Sequence, residues 1–132
     1  MADDSRQKQF DVLFSTLGNL QTGVMSGTSQ VAGFLLVVIG WLATSEKALG
    51  LLPSHSPNRS MVAVALVAAF GFYVYGVAIV YSRSQHTFKM LTRLDFMPSE
   101  YFKTNVLGLS ELAVFIGGNA FLVGVILVIL FH

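Results

Sequence analysis

Residues 112 to 131 run for twenty positions without a charged side chain. At about 1.5 Å of rise per residue, a helix over that stretch is about 30 Å long, the thickness of a bilayer's hydrocarbon core. That length sets the solvent of the chain before any other feature is weighed. Two further apolar stretches, near residues 24–44 and 61–81, extend the expectation to three spans, the first helix running over about 24–49. The fold class expected is therefore all-α: an integral membrane protein of three transmembrane helices, with an amphipathic interfacial helix ahead of the first.

Composition agrees with this. Apolar residues make up 54% of the 132 and charged residues 11%, less than half the charged share of a typical soluble domain. Three spans place about half of such a chain in lipid, leaving an N-terminal arm and loops too short for a separate soluble domain. We expect one membrane domain over residues 1–132. A net charge of +1 gives no basis for nucleic-acid binding, which needs a basic patch. The absence of cysteine removes disulfides and thiolate metal sites from consideration. Asp3 and Asp4, with the first apolar run far along the chain, argue against a cleaved leader.

The N-terminal arm carries a helical pattern over residues 5–22. Phe10, Leu13, Phe14, Leu17 and Leu20 recur at three-and-four spacing, with Gln9, Asp11, Thr16 and Asn19 between them. Its basic residues, Arg6 and Lys8, are offset by three aspartates. The segment is expected to lie at the interface, or to dock on the bundle or a partner, rather than to sense anionic lipid.

Span one has an apolar core of only Val31 to Thr44 and must borrow length. Trp41 suits a membrane interface, and Glu46 with Lys47 marks water beyond it. Counting back draws Ser26, Thr28, Ser29 and Gln30 into the membrane, where small and hydroxylated residues favour helix contact. Gly50 is a plausible C-terminal cap. Span two places Ala65, Ala69, Phe72 and Gly76 on one face, a groove for another helix. Beyond it, loop two (residues 82–104) is expected to begin as a helix, with Phe88, Leu91 and Leu94 at helical spacing. Arg83, Lys89 and Arg93 would face lipid headgroups, and Tyr81, Tyr101 and Phe102 would anchor the interface. Pro98 ends that helix, and the third span follows over about 106–131.

Orientation follows from basic residues. The arm and loop two hold Arg6, Lys8, Arg83, Lys89, Arg93 and Lys103, against Lys47 and Arg59 on the opposite side. The bias puts the N-terminus in the cytoplasm and the C-terminus outside. A bacterial inner or plasma membrane is the expected location.

Few residues offer chemistry. Glu111 stands at the start of span three, where a carboxylate is favoured by the helix N-terminus; an interhelical bond or a proton site are its other readings. Asn119 lies mid-span beside Gly117 and Gly118, and an unpaired amide there would be costly. The small-residue pairs Ala113–Gly117 and Ala120–Gly124 make this a packing face, with Asn119 bonding to another helix. His55, His86 and His132 have no ligand spacing, so no metal or cofactor is expected. No phosphate loop, nucleophile elbow or zinc motif is present.

The function expected is that of a small non-catalytic structural or accessory subunit. It would oligomerise or pack within a larger membrane complex, its partners being the bilayer and other membrane subunits or itself. The alternative is an oligomeric pore, ion-channel-like or holin-like, or a small transporter component, lined by Asn119 and the Ser/Thr stretch of span one.

Overall fold

A computed structural model describes residues 2–45, 50, 57–94 and 107–131. It contains three long helices, α1 (Ala2–Thr44), α2 (Pro57–Arg93) and α3 (Leu109–Phe131), and no strand among the described residues. Each is long and apolar enough to cross a membrane, as the charge-free runs predict. At about 1.5 Å per residue they measure about 64, 55 and 35 Å. The chain is thus a multi-pass membrane protein of three helices that alternate in direction, with α1 touching both others more extensively than they touch each other.

The interior is narrow and aliphatic. Leu35 and Leu42 of α1 meet Val123, Ile126 and Leu130 of α3, with Leu66 and Phe70 of α2 packed alongside. A second layer joins Val24, Val77 and Leu112 with Leu107, just ahead of α3. Many large apolar side chains point outward instead, among them Phe34, Val37, Phe72, Phe121 and Val128. In water that surface would be untenable; against lipid tails it is the expected exterior.

Two sequence expectations change here. The amphipathic stretch 5–22 is not a separate element: α1 runs without a break from Ala2 to Thr44. Its apolar stripe stays in phase with the interior face of the span, Leu17 being followed by Val24, Thr28, Leu35 and Leu42, all buried. No proline interrupts it, so one rod serves both segments. Its stripe docks on the bundle, because α2 continues beyond the membrane-length region to Arg93. Leu17 packs there against Leu91, with Phe10, Leu13 and Phe88 around them. Since α3 begins only at Leu109, this end is, among the described residues, a two-helix extension.

The second change concerns the end of span one. Helix α1 stops at Thr44, six residues before Gly50, so Gly50 does not cap it. The last turn closes locally: the Thr44 hydroxyl donates to the Gly40 carbonyl (2.6 Å) and the Ser45 N–H to that of Trp41 (3.0 Å). Glu46, Lys47, Pro98 and Lys103 lie outside the described residues.

Candidate functional site: a polar node inside the bundle

At one level of the bundle the aliphatic interior is replaced by three polar side chains, one from each helix. Asn119 of α3 is 2% exposed and Thr28 of α1 is 3% exposed, with Tyr73 of α2 half-buried beside them. The Asn119 amide donates to the Tyr73 hydroxyl at 3.1 Å and, at the limit of bonding length, to the Thr28 carbonyl at 3.5 Å. The Tyr73 hydroxyl in turn donates to Thr28 Oγ1 at 3.0 Å. Both amide hydrogens and the phenolic hydrogen are thereby used. A phenol can accept and donate at once, so Tyr73 bridges the amide donor of Asn119 and the hydroxyl acceptor of Thr28.

The node explains why Asn119 is tolerated in hydrocarbon. An amide without partners there costs several kcal/mol, whereas here both its hydrogens are met inside the same chain. Asn119 reaches both other helices, through the Tyr73 hydroxyl and, at greater length, the backbone carbonyl of Thr28. Tyr73 gives no sequence signal of this role. Only the pairing of α1 with α2 puts its hydroxyl beside Thr28.

Glu111 occupies the third position of α3, and its carboxylate accepts from the Gly108 N–H at 3.0 Å. This is the acidic half of a capping box, which satisfies one of the orphan N–H groups at a helix start. The carboxylate is exposed and makes no bond to another helix among the described residues.

The opposite end of α3 has a partner that charge counting alone does not reveal. Arg59, in the first turn of α2, is only 9% exposed and donates from Nη1 to the Leu130 carbonyl at 2.6 Å. The last four carbonyls of a helix lack intrahelical donors, and a cation there is favoured by the helix dipole. Arg59 therefore closes α3 with a side chain from α2.

The small residues expected to make helix contacts lie mostly on the outside. Gly117, Gly118, Ala65, Ala69 and Gly76 are exposed and Gly124 is half-buried. Ser26, Ser29 and Gln30 also face outward from α1. None of these small faces forms the internal core, which is built from Leu, Val and Ile. Two grooves follow. One of about 700 Å³ between α1 and α2 is lined by Gly23, Gly27, Gln30, Phe34, Phe72 and Gly76, among others. A smaller one of about 360 Å³ between α1 and α3 reaches Ser29, Gly118 and the edge of the node. Gly23 and Gly27 form a small-residue pair at the start of span one, beside the stretch expected to make helix contacts.

Of the expected interface anchors, Trp41 is exposed and Tyr81 half-buried, while Arg83, Lys89 and Arg93 are exposed on the extension of α2. Tyr101 and Phe102 lie outside the described residues, as do His55 and His132. Among the described residues no three His, Asp or Glu side chains come together. Compared with known protein families, curated proteins and solved structures, the chain matches none.

Proposed function

We propose that this chain is a small non-catalytic membrane subunit, structural or accessory, that packs against other membrane proteins or against copies of itself. The observation that carries the reading is the division of its surface. The internal contacts use branched aliphatics and a polar node whose amide and phenol donors are paired within the chain, while the small faces named above and Ser26, Ser29 and Gln30 point outward. Such faces suit close approach and cross-helix bonding by another helix. The basic residues of the α1–α2 extension support an orientation with that end in the cytoplasm.

Extraction in mild detergent followed by mass analysis of the intact assembly tests this. We expect a species heavier than the 14.3 kDa chain. A strictly monomeric chain, in detergent and in native membranes alike, would overturn the reading. A pore of several copies is the second reading, favoured by the outward Ser26, Ser29 and Gln30; Asn119 is enclosed and would not line it. Ion flux in liposomes that changes with Gln30→Leu would favour the pore.

A further inference from the structure

We propose that the groove between α1 and α3 is a binding site for a small apolar molecule carrying a hydroxyl, which donates its hydrogen to the Asn119 side-chain oxygen at mid-membrane depth.

The node leaves one atom of Asn119 without a partner. Its amide hydrogens go to the Tyr73 hydroxyl and the Thr28 carbonyl, while Oδ1 accepts no hydrogen bond among the described residues. A carboxamide is planar, with nitrogen and oxygen diverging from one carbon. With the nitrogen turned to Tyr73 of α2, the oxygen faces away from that helix. Among the described residues, Gln21 Nε2 is the one unpaired side-chain atom sealed from the surface, so the Asn119 oxygen is reached from outside. The residue as a whole is 2% exposed, which puts the oxygen at the bottom of an opening rather than on a face. That opening is the α1–α3 groove, which Asn119 lines together with Thr28 and Ser29.

Depth makes the oxygen consequential. Helix α3 has its midpoint at residue 120, one past Asn119, so the oxygen lies near the centre of the hydrocarbon. An acceptor left alone there is costly, and a donor that enters the groove offsets the cost. The Ser29 hydroxyl lines the same groove and makes no hydrogen bond among the described residues. A single group that both gives and takes a hydrogen bond satisfies the two together, and a hydroxyl does so. No charged side chain lines the groove, so the chemistry favours a neutral ligand.

Shape decides between a small molecule and another helix. The space of about 360 Å³ is at the lower end of the range for small-molecule sites. Ala32 and Gly118 have little side chain to fill it, half-buried Phe115 and Leu122 give it apolar walls, and exposed Leu36 and Val114 stand at the rim. A helix with its side chains is about 10–12 Å across and would rest on that rim, above an oxygen that is almost wholly enclosed. A slim apolar molecule enters with its hydroxyl leading.

A photoreactive apolar alcohol, para-(hydroxymethyl)benzophenone, and its methyl ether, which cannot donate, test the site in liposomes of the purified chain and in native membranes. The alcohol is expected to label peptides holding Leu36, Val114 and Leu122 saturably. Its dissociation constant should be about three- to fifteenfold lower than the ether's, the effect of one hydrogen bond in a membrane. Asn119→Leu should erase the difference between the two probes. Gly118→Leu, where an added Cβ meets no atom within 4 Å, should remove the labelling without lowering the stability of the bundle. Equal labelling by alcohol and ether, or a preference for the alcohol that survives Asn119→Leu, overturns the role of the oxygen. Unsaturable labelling spread over outward side chains such as Phe34 and Val128 overturns the site. A groove labelled in liposomes but not in native membranes overturns the small molecule and gives the oxygen to a protein partner.

Discussion

Replacing Asn119 by Leu and Tyr73 by Phe, singly and together, probes the node directly. Tyr73→Phe deletes the hydroxyl that accepts from Asn119 at 3.1 Å and donates to Thr28 at 3.0 Å. Cross-helix hydrogen bonds in membranes average about 0.6 kcal/mol and reach about 1.7 kcal/mol. Two such bonds make the expected loss about 1–3 kcal/mol. Asn119→Leu keeps volume similar and removes one good bond, the 3.5 Å contact to the Thr28 carbonyl adding little at that length. Its loss should be about 0.6–2 kcal/mol. The two variants share one bond, so the double variant should be less destabilised than the sum by about 0.6–1.7 kcal/mol. Unfolding by SDS titration in mixed micelles, read by protease susceptibility, supplies the four free energies. Additivity within about 0.3 kcal/mol would refute the bridging role of Tyr73. A stability gain in Asn119→Leu would refute the claim that the amide N–H groups are met inside the chain.

Other contacts give separate expectations. Arg59→Gln should lower stability in the same titration by about 1.5–3 kcal/mol, the range for a bond from a charged group, with amides of the last turn of α3 exchanging faster; unchanged exchange there would contradict its closing role. Leu91→Ala should loosen the two-helix extension, so that hydrogen exchange rises over residues 5–17 and 84–93 while 112–130 stays protected. Exchange rising equally throughout would show that the extension is not an independent unit. Glu111→Ala should cost about 0.5–1 kcal/mol as a lost cap, and Glu111→Gln should retain most of that. Proton-coupled activity abolished in both would point instead to a titrating site.

Much of the architecture is legible in the residues. The charge-free run 112–131 and the Val/Ala-rich stretch 61–81 set span lengths because hydrocarbon thickness leaves little latitude. The continuation of α2 is visible because Phe88 and Leu91 keep helical phase past Tyr81, and Asn119 shows its need for a partner because hydrocarbon offers none. What stays hidden depends on which helix lies beside which. A surface-lying helix and the end of a long rod share one periodicity, so residues 5–22 do not reveal their continuity with span one until α2 is placed against Leu17. Arg59 reads as a topology marker until the start of α2 meets the end of α3. Tyr73 stands out in no pattern of the sequence, and its role shows only when its hydroxyl is found between Thr28 and Asn119.

The central claim is that α1, α2 and α3 each cross the bilayer once, which sets the two ends of the chain on opposite faces. Paired reporters, one active only in the cytoplasm and one only outside it, fused in turn before Ala2 and after His132, measure this directly. The account predicts opposite readings at the two ends, with the reporter before Ala2 active in the cytoplasm. The same reading at both ends would mean an even number of crossings and would contradict it.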